Sequence, residues 1–392
     1  MTTPAIESDS ILDAVREIVP RLRENGIKAE ENRWIPDENI ELLEKADVFR
    51  IAVPKRFGGL DLPVADQARI IEEVGRGCGS TGWILCSWIS SAWIATQYSD
   101  KAQEEIFADG AVRISGGFTP TGTAVETEGG YILNGSWRFN TGIRGSHWNV
   151  HAAMLERPGQ EDEEIFAIVP ASEVEILDDW HVSSASGTGS STTRLKDVFV
   201  PAHRVAGAVE ALEGLVEGRS NTGATGRNYG LTALVMGLSV PVYIGLARAA
   251  LELFLERLPG RGIAYTHWAE QREHPYTQIQ VATAANKITA AEALAAGWLR
   301  RMQEAADAGE QLPMEERVAI RGQMGYAVQL AKEAVGVLHD VSGASIIQRA
   351  VPFQRVHRDI EGLYLHGLMT PLGSLEAHGR VLVGLDPDTD YL

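Results

Sequence analysis

Residues 129–142 read GGYILNGSWRFNTG. Two short β-like runs meet at Asn134-Gly135, a pair suited to a type I′ turn because both central residues take positive φ. EIFAIVP (164–170) and RLKDVFVP (194–201) are further strand candidates, each ending at a proline. Together they predict a small antiparallel β domain, a barrel or sandwich, over residues 112–216.

Working outward, the flanks are helical. Residues 8–29 open with Ser8 and Asp9 as N-cap candidates, and Leu12, Val15, Ile18, Val19 and Leu22 recur at helical spacing. Residues 37–47, 63–75 and 80–98 repeat the pattern around a PKRFGG loop (54–59), which predicts an N-terminal α-helical domain over 1–111. Downstream, alanine-rich amphipathic stretches at 229–257, 275–306, 314–340 and 352–368 predict a C-terminal helical bundle over 217–392. EGRSNTGATGRN (217–228) is poor in apolar residues and reads as a mobile loop. The fold class is mainly α with a central β domain.

Composition narrows the function. The 392 residues carry 44% hydrophobic and 22% charged side chains, ordinary for a globular protein. A net charge of −18 without a basic run argues against nucleic acid or an anionic membrane as partner. Cys78 and Cys86 lie in one helical segment with no CxxC or His/Cys ligand spacing. Buried free thiols in a cytoplasmic protein, and no metal site, are the expectation. The first twenty residues carry acids where a signal peptide needs a basic region.

The order of helical domain, β domain and four-helix bundle resembles the acyl-CoA dehydrogenase superfamily. KRFGG resembles its Tyr/Phe-Gly-Gly loop, GGYILNG its GGY-x-L-x-G hairpin, LKDVFVP its strand ending in VP, and RVHRD (355–359) its R-x-x-RD signature. GLARAALELFLERLPGR ends at Arg261, where the family has an FAD-binding arginine, and Gln278 falls where it has a glutamine. The dehydrogenases also need a carboxylate base, in most members a glutamate shortly after the RD pair. Here that segment, 363–370, reads LYLHGLMT, and the alternative location, 219–251, contains no Asp or Glu. Both base positions are empty.

GCGSTGWIL (77–85), WRFNTGIRGSHW (137–148) and GTGSSTTRLKDVFVP (187–201) resemble a branch of that superfamily in which a histidine is expected. The branch comprises the oxygenase components of two-component flavin-dependent monooxygenases, similar to 4-hydroxyphenylacetate 3-hydroxylase. The resemblance implies reduced flavin (FMNH2 or FADH2) delivered by a separate NAD(P)H:flavin reductase, and O2. It implies oxygen transfer through a flavin C4a-hydroperoxide to an electron-rich aromatic, phenolic, indole or heteroatom substrate, in a homotetramer. His366 stands at the position of the branch's base, with a pKa suited to a phenol at neutral pH. On the residues alone, a lone histidine near a helix end is more often a structural one. Asn140, Thr141, Gly142, Trp148 and Ser190 are implied around the flavin ring, and Arg261 and Gln278 around its phosphates from a neighbouring subunit. Taken without the resemblance, Trp148 reads as core packing and Arg261 as a solvated helix arginine. Trp83, Ser91 and Trp93 would line the substrate pocket, with Ser91 where phenol-hydroxylating relatives have histidine. Arg355 and the Arg358-Asp359 pair read as an ion pair setting the last helix.

Overall fold

The first helix, α1 (Pro4–Asn32), starts upstream of Ser8 and Asp9, so the pair lies inside it and does not cap it. In this computed structural model, which describes residues 4–157, 159, 161–220, 227–389 and 392, α1 buries Leu12, Val15, Val19 and Leu22. There follow α2 (Asp37–Lys45), α3 (Val64–Gly77), α4 (Gly79–Ala95) and the unanticipated α5 (Asp100–Ile106). Every residue of α4 except Ser87 is buried, as befits a helix that is apolar all round. It lies between α3, a long bundle helix and the β domain. Cys78 and Cys86 are buried and free.

The strands are β1 (Ile114–Thr127), β2 (Gly130–Trp137), β3 (Trp148–Glu156), β4 (Glu163–Pro170), β5 (Glu175–Ile176), β6 (Thr193–Pro201) and β7 (Val205–Gly207). They form one sheet in the order β5-β6-β2-β1-β3-β4-β7. The antiparallel expectation fails at one pairing, because β1 and β3 run parallel. The predicted turn at Asn134-Gly135 is also corrected. β2 runs straight through it, and the hairpin turn is Glu128-Gly129, where Gly129 has φ +79. Asn134 pairs with Thr123, and its Oδ1 accepts the Asp197 N–H at 2.7 Å. Gly135 backs onto Gly122, and a Cβ there would lie 2.6 Å from the Gly122 Cα and from the Trp137 ring. The β2–β6 register shifts at this point. Asn-Gly therefore marks a bulge and a close backbone approach, the other use of glycine in a strand.

After the short α6 (Ala208–Glu213), the bundle comprises α7 (Leu231–Glu256), α8 (Pro275–Ala308) and α9 (Met314–Asp340), with α10 (Pro352–Leu363) and α11 (Pro371–Leu382) packed on it. By length and composition α7 could cross a membrane, yet 83% of its most apolar window is buried inside the fold. It is the central helix, packed against α3, α4, α8, α9 and α10. The helix predicted over 352–368 stops at Leu363, and α11 was not foreseen. Gly362 and Gly367 weaken helix continuation, while Pro371 starts the next helix at its first turn. His366 accordingly lies in a turn between two helices. Of the loop expected at 217–228, residues 221–226 lie outside the described residues.

Candidate active site

β2 ends at Trp137, and the chain turns under α4 through Asn140, Thr141 and Gly142. Gly142 takes φ +77, and a Cβ there would sit 2.7 Å from the Trp88 indole nitrogen. Trp88 Nε1 donates to the Gly142 carbonyl at 3.2 Å, which fastens the turn to α4. The turn is joined to the loop 186–191 by two backbone bonds, Asn140 N–H to Ser191 O and Gly142 N–H to Thr188 O, both 3.2 Å. Asn140 is fully buried, and its amide is engaged with Asn149 (2.8 Å) and Thr193 (3.0 Å). It acts as a tie between β2, β3 and β6.

Three hydroxyls continue from this tie. Thr141 Oγ1 lies 2.9 Å from Ser190 Oγ, which lies 2.8 Å from Thr188 Oγ1, and Thr188 donates to the Ala185 carbonyl at 2.8 Å. Thr141 is 9% exposed, the outermost of the three. Ala185 has φ +50, and its N–H donates to Asp359 Oδ1 of α10 at 2.6 Å. Burial pushes the Asp359 carboxyl up to about 6, against the lowering effect of that N–H and of Arg355 and Arg358. The Arg358-Asp359 pair is thus not an ion pair with itself. Arg358 grips Glu30 of α1 at 2.8 and 2.9 Å, while Asp359 holds the loop.

Seven residues on from Asp359, the His366 ring packs edge-on against Trp83 of α4, centroids 5.5 Å apart. Trp83 packs likewise on Tyr243 of α7 at 6.0 Å, and the Tyr243 hydroxyl donates to Leu363 O at 2.7 Å. α4, α7 and the end of α10 are thereby locked around the histidine. Its outer surface stays open to solvent, yet the protein packed about the ring lowers its pKa below the ordinary 6.5. Nδ1 accepts the Leu368 N–H at 3.3 Å, a long bond, which leaves Nε2 as the nitrogen free for another partner. The described acids that flank the two base positions are engaged elsewhere. Glu361 pairs with Lys332 at 3.2 Å, and Glu252, beyond the acid-free stretch of α7, is held by Arg23 and Arg76.

The remaining sequence candidates lie apart. Trp93 sits ~15 Å along α4 from Trp83 and donates to Arg227 O at 2.6 Å. Ser91 is fully buried with its hydroxyl unpartnered. Trp148 is half-buried, with the Arg204 guanidinium 4.9 Å over its ring. Arg261 lies beyond the end of α7, bonded to Ser342 O, and Gln278, exposed at the start of α8, bonds Arg272 O at 3.1 Å. Tyr243, bonded to Leu363 beside the His366 turn, is ~20 Å along α7 from its end at Glu256, beyond which Arg261 follows, so Arg261 stands far from His366 of the same chain. Thr188, Trp88 and Asp359 went unassigned as site residues. The signal for Thr188 was present in the GTGS phrase, whereas only the packing of α10 on the loop reveals Asp359.

The family model described as "Acyl-CoA dehydrogenase, N-terminal domain" matches residues 6–113, and "Acyl-CoA dehydrogenase, C-terminal domain" matches 237–371. The chain belongs to the acyl-CoA dehydrogenase family. Within that family it is 28% identical over 384 residues to "Flavin-dependent monooxygenase, oxygenase subunit HsaA" of Mycobacterium tuberculosis, covering 97% of each chain. It is 29% identical over 405 residues to "p-hydroxyphenylacetate 3-hydroxylase, oxygenase component" of Acinetobacter baumannii, covering 98% of this chain and 92% of the relative. The structure of XiaF from Streptomyces sp. in complex with FADH2 and glycerol superposes with a TM-score of 0.92 at 27% identity, covering 99% of this chain and 98% of that one. The two curated relatives are named as oxygenase components, in accord with the absence of a carboxylate at either base position here.

Proposed function

We propose that the chain is the oxygenase component of a two-component flavin-dependent monooxygenase, taking reduced flavin from a separate reductase and hydroxylating a small electron-rich aromatic. The observation that carries this is the substitution at one place: where a dehydrogenase needs a carboxylate, His366 stands edge-on to Trp83 with Nε2 free. A carboxylate is suited to taking a proton from carbon beside an acyl thioester. A neutral imidazole matches a phenol or indole.

The residues fit a flavin. The αL turn at Gly142 brings backbone close under α4, and Thr141 presents a hydroxyl at the open end of a buried polar chain. Ser191 Oγ beside it is buried and unpartnered. Thr141, backed by Ser190, would meet the ring's N5 side, and bound reduced flavin would supply the two electrons that activate O2, one of whose atoms goes to the substrate while the other leaves as water. Trp83 and the buried α4 face exclude water. His366 would orient the substrate oxygen or nitrogen: with Nδ1 accepting the Leu368 N–H the neutral ring donates from Nε2, and taking the substrate's proton at Nε2 requires the Nδ1–H tautomer, which gives up that long bond. Arg261, out of reach within one chain, and Gln278 would serve the flavin phosphates of a neighbour in a homotetramer.

The test is anaerobic titration with photoreduced FMN and FAD, followed by mixing with O2 and phenolic or indolic substrates. Hydroxylated product formed at the expense of reduced flavin is expected. Bleaching of tightly bound oxidised FAD by an acyl-CoA, with no hydroxylation, would overturn the assignment.

A further inference from the structure

The three hydroxyls beside the strand end have only one consistent arrangement of protons. The Ala185 carbonyl carries no hydrogen, so the 2.8 Å contact with Thr188 Oγ1 uses the Thr188 proton. The 2.8 Å contact between Thr188 and Ser190 must then use the Ser190 proton. The 2.9 Å contact between Ser190 and Thr141 is left with the Thr141 proton. Were Ser190 to donate to Thr141 instead, Thr188 and Ser190 would face each other at 2.8 Å with no hydrogen between them, two buried acceptors in contact. Thr188 and Ser190 are 1% and 4% exposed. The chain therefore runs inward from Thr141 to Ala185, and Thr141 Oγ1 is left with lone pairs alone on its open side.

Its terminus is fixed from two directions. Ala185 is held in left-handed geometry by its N–H bond to Asp359, and the Thr188 carbonyl takes the Gly142 N–H. Neither end can turn over without breaking a buried bond.

We infer that Thr188 is a positioning residue that makes Thr141 an acceptor-only group, so that the site selects reduced over oxidised flavin. The inference rests on the flavin reading of this site. Reduced flavin presents an N–H at N5, which an acceptor-only hydroxyl satisfies. Oxidised flavin presents a bare nitrogen there, which leaves two acceptors facing one another. Discrimination of this kind suits a protein that receives its flavin from solution and must favour the reduced form. It requires no residue beyond those described.

The readout is the ratio of dissociation constants, oxidised over reduced, for FMN and FAD in anaerobic titrations. Thr188→Val removes the acceptor for the Ser190 proton, so Ser190 can donate outward and Thr141 can turn its own proton toward N5. The ratio should fall roughly five- to tenfold, the scale of one net hydrogen bond, while Thr188→Ser restores it. In a Thr141→Ala background Thr188→Val should change nothing further, an outcome that simple loss of structure would not give. Should Thr188→Val fail to fold, Ser190→Ala frees the Thr141 proton by the same logic. A ratio unchanged in both variants overturns the inference while leaving the flavin site standing. A wild-type protein that binds neither form of either flavin overturns the site and the inference together.

Discussion

At the scale of single residues, His366 and Asp359 sit seven positions apart and are displaced in opposite protonation senses by the same cause. Burial disfavours charge, so it lowers the histidine and raises the carboxyl. At pH 7 His366 is neutral, the form able to take a proton. The coupling of product formation to flavin oxidation is therefore expected to fall only below pH 6.5. His366→Ala should retain reduced-flavin affinity within a few fold, lower coupling by roughly 10²–10⁴-fold in the transfer step, and abolish that acid limb. An unaltered coupling ratio in the variant would reduce His366 to packing against Trp83.

At the scale of elements, α10 and the loop 183–191 form one unit, because Asp359, Arg358 and Gly362 all bear on that loop. The Asp359 carboxyl is raised from 3.8 to about 6. A raised carboxyl contributes stability that is fully present below 3.8 and is lost as pH rises through about 6. The charges facing it are Arg355, Arg358 and Glu30, and the first two already moderate the loss. Asp359→Asn keeps an acceptor for the Ala185 N–H without a buried charge. Its stability relative to wild type should grow as pH rises from 4 to 8, by at most about 3 kcal/mol at 1.36 kcal/mol per pH unit. Urea unfolding midpoints across that range measure it, and a gap independent of pH would show that Asp359 does not titrate there.

At the scale of the whole molecule, one surface is more apolar than a monomer needs. Leu365, Leu372, Leu382 and Val383 are 80%, 78%, 74% and 74% exposed along the His366 turn and α11, while the opposite side of α11 packs on α9. Together with Arg261 standing away from His366 of its own chain, this favours assembly of several copies. Replacing Leu372 and Leu382 by glutamate should shift the particle to a smaller mass by light scattering and weaken flavin binding at least tenfold. Unchanged mass would place this face outside any interface.

Much of this was legible in the chain. Helical periodicity marked α1 through α4 and α7 through α9, since buried faces repeat with the helix turn, and the GCGSTGW, SHW and GTGS phrases marked the oxygenase branch. The empty acid positions at 363–370 and 219–251 set the chemistry apart from α-proton abstraction. Asn134-Gly135 was misread because a turn and a bulge ask the same thing of glycine, and only the partner strands decide between them. The end of α10 at Leu363 and the start of α11 follow Gly362, Gly367 and Pro371, local signals too weak to fix the boundary without the packing of α11 on α9. The sequence by itself determined which side chains carry chemistry, because residue type dictates what each can donate, accept or titrate. Only the tertiary structure decided which of them meet. Asp359 reaches Ala185 across 174 residues and thereby orients a chain of hydroxyls, a juxtaposition that no local pattern encodes.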